Sequence, residues 1–376
     1  MREFDLGLLG GGQLARMTIQ AAQRMGLRCL SVDPGQDTPA SQVAPAIIGA
    51  LDDVETVAEV FRRCDRVTLE NEFIPAATIV AAMEIAGREA ECMTPGTDCL
   101  AMVQDKLLQR KAYIRNGTPS PEAVAVEPDG SVGIEFPAVL KARFGGYDGK
   151  GTRYARDRDE FESYRDLWAV GGWMAEPLIE FRREVAVMVC RSESGTVCFP
   201  TMETVQADHV CDVVTPTRVD GSEIAVSAVQ AVGGFGLFGV EMFEMADGSL
   251  LVNEIAPRPH NSGHYTLDWG GLSQFEAHVR LSMGLPVELP AGQDACMANL
   301  LGRPGAGDHR DGVRAAIGVD ASVHVHWYGK SEARVGRKMG HLTAVGEGCV
   351  ARAKRARDAF YEGWCGGVSR RPLSWP

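Results

Sequence analysis

The stretch that decides the fold reads Gly239-Val240-Glu241-Met242-Phe243-Glu244-Met245-Ala246-Asp247-Gly248-Ser249-Leu250-Leu251-Val252-Asn253-Glu254-Ile255-Ala256-Pro257-Arg258-Pro259-His260-Asn261-Ser262-Gly263-His264. Asp247-Gly248 stands between two apolar runs, the strongest short signal for a β-hairpin closed by a two-residue turn. With those two as the turn, Ala246 pairs with Ser249, and counting outward sets Glu241 directly opposite Glu254. Opposed residues have Cβ atoms roughly 5 Å apart, where like charges are destabilising. Two ionised carboxylates so close need a cation between them or a raised pKa. The spacing suits Mg²⁺, a hard ion bound through one or two carboxylates plus substrate phosphates. Strand alternation carries the same face from Glu254 to Ala256 and Arg258, which places a guanidinium beside the metal, where an anion would be. His260, Asn261 and His264 follow, a density of polar groups hard to justify as core or ordinary loop.

The remaining composition narrows the class. A length of 376 residues suggests two or three domains with ample core. A net charge of −12 argues against a general nucleic-acid or anionic-membrane binder. No apolar run reaches membrane-spanning length, and the N-terminus enters a strand without a signal peptide's apolar core. The ten cysteines are scattered, with no Cys-x-x-Cys and no metal-ligand spacing, which fits small buried residues in a reducing cytoplasm.

Upstream, residues 4–9, 28–33 and 66–70 read as strands and residues 13–25 and 54–63 as helices, an alternation that implies a parallel sheet. The first turn, Gly10-Gly11-Gly12-Gln13-Leu14-Ala15, fits the looser dinucleotide-binding form, with Asp33 ending the next strand. Two readings stay open: an NAD-dependent dehydrogenase, or a glycine turn into a helix whose N-terminus holds some anion. The first leaves the dense polar hairpin unexplained. A helix over residues 99–116 ends near Gly117, and Pro119 and Pro121 mark a boundary. A strand over residues 136–141 ends on Lys141. The glycine-rich segment 145–151 follows, whose N–H groups can wrap phosphate while Lys141 and Lys150 supply charge. Residues 173–180 open into a proline-containing linker where backbone groups can read an adenine edge, before an apolar strand over residues 185–190. The basic run from His324 to His341, broken by glycines in an acidic chain, favours a local anion site such as one phosphate. Residues 351–360 read as a short basic helix with a frayed end.

These pieces in this order resemble the ATP-grasp superfamily, and within it the 5-(carboxyamino)imidazole ribonucleotide synthase family of purine biosynthesis, over roughly residues 4 to 345. The resemblance is carried by the segment from Leu8 to Met17, by Lys141 with its glycine loop, by Asn253–His264, by Ser273-Gln274-Phe275-Glu276 and by Tyr328–His341. It implies an α/β chain with the ATP-grasp fold: a Rossmann-like pre-ATP-grasp domain over residues 1–98, an ATP-grasp domain over 99–290 and a small β-rich C-terminal domain over 291–376. It implies that ATP and bicarbonate give carboxyphosphate and ADP, and that the carboxyl group passes to the amine of 5-aminoimidazole ribonucleotide. On the matching positions, Lys106 and Lys141 become nucleotide-phosphate contacts. Glu176, Ile179 and Glu184 become adenine and ribose contacts, with Tyr147, Gly149, Gln206 and Asn253 also on the nucleotide. Glu241 and Glu254 become the Mg²⁺ ligands, and Arg258 holds bicarbonate or carboxyphosphate. Asp148, His260 and Asn261 become acceptor-side catalytic residues, and Gln13, Lys330, Arg337 and Lys338 bind the acceptor, Lys330 and Arg337 on its phosphate. A cytoplasmic homodimer is implied as well. Two departures leave room for a paralogue joining another acid to a related amine. The third strand ends Leu69-Glu70-Asn71-Glu72-Phe73, where the family usually reads Tyr-Glu-Phe-Glu-Asn. Gln206 stands where the family has a histidine.

Overall fold

The computed structural model describes residues 2–146, 151–207 and 210–366. Phe4–Leu9 runs at the centre of a five-stranded parallel sheet, between Cys29–Asp33 and Cys64–Leu69, with Ala46–Ile48 and Met93–Thr94 at the edges. Buried on both faces, the central strand is almost uninterrupted apolar sequence rather than an alternation. The helices Gln13–Arg24 and Val54–Arg63 follow the strands as expected, and a further helix, Ala76–Ala86, follows the strand Cys64–Leu69.

The glycine turn after the first strand takes an unexpected form. Gly11 N donates to Asp33 Oδ2 (3.0 Å), while Gly12 N and Leu14 N donate to the two oxygens of Glu70 (2.5 and 3.2 Å). The chain's own carboxylates therefore occupy the place a pyrophosphate would take at a helix N-terminus. Asp33, which ends the next strand of that signature, is spent on Gly11 and Gly35. The dehydrogenase reading loses its cofactor site here. The packing is tight: a Cβ on Gly12 would stand 2.1 Å from Glu70 Oε1. Gly12→Ala is expected to destabilise the protein by about 1–3 kcal/mol, the usual cost of forcing a methyl into filled space. An unchanged thermal midpoint would contradict this packing.

A second, four-stranded antiparallel sheet orders Val124–Val126, Trp173–Pro177, Ala138–Ala142 and Thr152–Ala155. The third sheet has nine strands and runs through residue 290 without a break. Val213 and Val214 of the Val210–Pro216 strand pair with Ala298 and Met297 of Ala295–Leu301. The expected C-terminal unit therefore extends the third sheet, yet it keeps its own core beneath the helix Cys349–Trp364. That helix is longer than the short basic one expected. It buries Ala353, Ala356, Phe360 and Trp364, and its charges occupy the other face.

The single helix expected over residues 99–116 is two helices, Thr97–Gln104 and Lys106–Asn116, broken at Asp105. Asp105 leaves helical geometry (φ −99°, ψ 104°) and its carboxylate caps the N–H groups of Leu107 and Leu108. The same carboxylate receives the Arg143 guanidinium from the second sheet. A long-range ion pair thus stops one helix and starts the next, with Lys106 at its first position. Among the described residues, no helix is long and apolar enough to cross a membrane.

Candidate active site

Glu241 pairs with Glu254, as the count from the turn requires, but by a different route. Met245 N donates to Ser249 O and Gly248 N to Met245 O, so the loop has three residues, with Gly248 at φ 86° in the left-handed region. Glu244 consequently faces Leu250, one residue off the expected register. A bulge beyond Met242 then adds Asn253 to the second strand and restores Glu241 opposite Glu254. Gly239, Glu241, Asn253, Glu254, Ala256 and Arg258 all line one cleft of roughly 2080 Å³.

Three cations gather at the Glu254 end. Lys106 Nζ lies 2.8 Å from Glu254 Oε1. Lys141 Nζ lies 2.7 Å from Glu176 Oε2 and 3.3 Å from the side-chain oxygen of Asn253. Burial raises the Glu254 carboxyl, but Lys106, Lys141 and Arg258 outweigh it and hold the group below its ordinary value. Burial draws Lys141 down, so an arriving anion would restore what desolvation costs its charge. Among the described residues, no group of three or more His, Cys, Asp or Glu side chains converges as a metal set. A hard cation between Glu241 and Glu254 fits the donor chemistry only if phosphate or water oxygens complete its shell.

Glu176 lines the cleft, but its carboxylate is committed within the chain: it is buried, and its two oxygens are taken by Arg110 (2.5 Å) and Lys141, which it holds in place. Glu184 accepts from Gln206 (2.8 Å), so the residue that departs from the family pattern still supports its neighbour on the cleft wall. Ile179 lines the same wall, near the stacked rings of Phe181 and Phe243 (4.5 Å between centroids).

Arg258 bridges two domains. Its Nε and Nη2 donate to both oxygens of Glu72 (2.5 and 2.9 Å), in the segment after the parallel strand Cys64–Leu69. Burial lowers Arg258, but Glu72 more than offsets it, and Glu254 and Glu70 add to the gain. Glu70 and Glu72 were not among the expected site residues. The available signal was two carboxylates at the carboxyl end of a parallel strand, where α/β sheets place their ligands.

His260 is half-buried beside Arg258 and Lys338, and desolvation first, then those charges, push it down to about 3. Its Nδ1 meets Ser262 Oγ (2.9 Å) and its Nε2 lies 3.5 Å from Glu241. It is neutral at pH 7. Because its folded value lies below the unfolded 6.5, any stability it lends is present above about pH 6.5 and is lost as pH falls toward 3. Asn261 is more committed than expected. It exchanges two hydrogen bonds with Asn299 (3.0 and 2.7 Å), and Asn299 also donates to Cys211 O. This amide pair pins the polar segment to the C-terminal unit's first strand. His264 is buried against Gln274 and lies behind the segment as support.

The opposite wall is cationic: Lys330, Arg337 and Lys338 line it, with Gln13 from the first helix. Lys330 Nζ donates to Lys338 O (2.7 Å) and Arg337 Nη1 to Glu332 O (3.0 Å), which holds both side chains over the cleft. Tyr147, Asp148, Gly149 and Lys150 lie outside the described residues; their neighbours Gly146 and Gly151 line the cleft.

Comparisons with known proteins agree over most of the chain. Residues 4–104 match a ribonucleotide synthetase preATP-grasp domain, residues 122–275 an ATP-grasp domain, and residues 295–355 a phosphoribosylaminoimidazole carboxylase C-terminal domain. The chain is 37% identical to N5-carboxyaminoimidazole ribonucleotide synthase of Synechococcus elongatus, over 94% of this chain and 92% of that protein. It is 38% identical to phosphoribosylaminoimidazole carboxylase of Ogataea methanolica, over 92% of this chain but only 67% of that longer protein. It superposes on N5-carboxyaminoimidazole synthase of Aspergillus clavatus, solved with ADP and 5-aminoimidazole ribonucleotide, with a TM-score of 0.84 at 30% identity, covering 96% and 99% of the two chains.

Proposed function

This chain belongs to the N5-carboxyaminoimidazole ribonucleotide synthase family of ATP-grasp enzymes, and from that premise we propose how its own residues carry the reaction. The substrates are ATP, bicarbonate and 5-aminoimidazole ribonucleotide. A bicarbonate oxygen forms a bond to the γ-phosphorus as the bond to ADP breaks, giving carboxyphosphate. The acceptor amine then bonds to its carbon as phosphate leaves, and the amine proton goes to that phosphate. The product is the N-carboxy nucleotide of purine biosynthesis.

One observation carries the reading: a single cleft holds two cationic ends, with a polar segment between them. At one end, Lys106 and Lys141 stand where nucleotide phosphates would meet the Glu241–Glu254 pair. At the other, Lys330, Arg337 and Lys338 suit the acceptor's phosphate. Arg258 and the neutral His260 lie between and would orient bicarbonate and carboxyphosphate, with Asn261 fixing the segment. Glu241 and Glu254 would hold Mg²⁺, which supplies charge neutralisation on the transferring phosphoryl group. At the departures from the family pattern, Gln206 sustains Glu184, and Glu70 and Glu72, the two residues the altered strand end shares with the family, are tied to the glycine turn and Arg258. The reading extends to a homodimer in the cytoplasm; the ten unpaired cysteines support a reducing compartment.

The test measures ADP release with bicarbonate, with and without 5-aminoimidazole ribonucleotide. Stimulation by the nucleotide is expected, and none would remove the purine assignment while leaving an ATP-grasp enzyme. The double variant Lys330→Ala, Arg337→Ala should raise the acceptor KM about tenfold or more, from the loss of charge-assisted hydrogen bonds. The KM for ATP should move little, and the reverse pattern would take both residues out of the acceptor site.

A further inference from the structure

The strand Leu250–Ala256 lies at the edge of the nine-stranded sheet, and its bulge falls at Asn253. A bulge on an edge strand leaves main-chain groups with no neighbouring strand to satisfy them. Here they find partners from elsewhere in the chain. Val252 N donates to Pro119 O (2.8 Å). Arg110, from the helix Lys106–Asn116, donates Nη1 to Val252 O (3.1 Å) and Nη2 to Asn253 O (2.7 Å). Its third donor, Nε, goes to Glu176 Oε1 (2.5 Å). Glu176 in turn holds Lys141, and Lys141 reaches the Asn253 side chain. The contacts close a ring, Arg110–Asn253–Lys141–Glu176, in which Arg110 and Glu176 are each only 3% exposed.

We propose that Arg110 is a positioning residue that sets the metal carboxylate Glu254 and the phosphate-binding Lys141 together; the proposal rests on the Glu241–Glu254 reading above. Two features of the ring support it. The bulge is what puts Glu254 opposite Glu241, because an unbulged strand would present Asn253 there and turn Glu254 to the other face. Clasping both carbonyls of the bulge holds that register. The second feature is the fork itself. Three planar donors reach three acceptors on two different strands, a geometry that a lysine ammonium cannot reproduce at equal charge.

The experiment compares wild type, Arg110→Lys, Glu176→Gln and Glu254→Gln by calorimetric binding of Mn²⁺·ADP and of ADP alone. It adds the Mg²⁺ dependence of turnover and the acceptor KM. Arg110→Lys is expected to weaken Mn²⁺·ADP binding about tenfold or more, the scale on which outer partners tune a metal site. It should raise the Mg²⁺ needed for half-maximal rate and leave the acceptor KM within about twofold. Wild-type Mn²⁺·ADP affinity, with only a lower thermal midpoint, would overturn the proposal and leave Arg110 a purely structural residue. Glu176→Gln keeps the clasp on the bulge and cuts the link to Lys141. It should weaken ADP itself without changing the Mn²⁺ contribution, and unchanged ADP affinity would overturn the Lys141 half. Glu254→Gln separates the two layers. If it binds Mn²⁺·ADP like wild type, the metal reading fails; if it loses binding while Arg110→Lys keeps it, only the role of Arg110 fails.

Discussion

Glu254→Gln should lower turnover at saturating substrates by about a hundredfold or more, roughly 2.7 kcal/mol of transition-state stabilisation. The substitution is nearly isosteric, so packing around the strand is kept. It removes the charge that faces Glu241 and that Lys106 neutralises at 2.8 Å. A lone Glu241 would bind a divalent cation less tightly, and Lys106 would be left without its partner. Extra Mg²⁺ should recover part of the loss in apparent affinity but not the full rate, because the geometry at the transferring phosphoryl group would still be wrong. Stability should fall little, since one of two facing carboxylates is gone and with it their repulsion. The measurement is steady-state ADP release across a Mg²⁺ series, with the thermal midpoint as control. Turnover equal to wild type at every Mg²⁺ concentration would remove Glu254 from the metal pair.

The hairpin shows what a sequence can and cannot carry. The opposition of Glu241 and Glu254 is legible because strand alternation and an Asp-Gly turn leave few registers. The turn length is not, because Gly248 serves equally as the second residue of a two-residue turn or the left-handed third of a longer loop. Nor is the bulge, whose cause is Arg110, 142 and 143 positions away in the chain from the carbonyls it holds. Arg110 itself reads as one more charge among Lys106, Lys111 and Arg115 on a solvated helix, and only the fold reveals it as buried. The helix break at Asp105 was only partly legible: Asp105 caps the next helix itself, a local signal, while the Arg143 that pairs with its carboxylate lies 38 positions away. Glu176 was visible as a polar residue on an apolar strand, but its two buried cationic partners were not. Lys106, Glu254 and Arg258 could be singled out from the sequence, but the distant partner that each one takes could not.

Arg258 is where the second large effect should appear. Arg258→Lys keeps the positive charge and loses the fork that both grips Glu72 and faces the Glu254 end of the cleft. Since only preorganised donors stabilise developing charge without reorganisation, kcat should fall about 10²–10³-fold, with the bicarbonate KM rising and the ATP KM nearly constant. Bulk positive charge alone would predict a mild effect, because lysine preserves it. Glu72→Gln tests the other side of the same contact. It leaves Arg258 in place but removes the carboxylate that orients it across the domain boundary, so its loss should be clearly smaller than that of Arg258→Lys. Should the bicarbonate KM stay at the wild-type value in Arg258→Lys while that of ATP rises, Arg258 would be a nucleotide ligand instead. The ordering of these two variants decides whether the pre-ATP-grasp domain merely abuts the reaction site. A measurable loss in Glu72→Gln would mean that this domain, through one ion pair between residues 186 positions apart, sets the aim of the arginine on which carboxyphosphate depends.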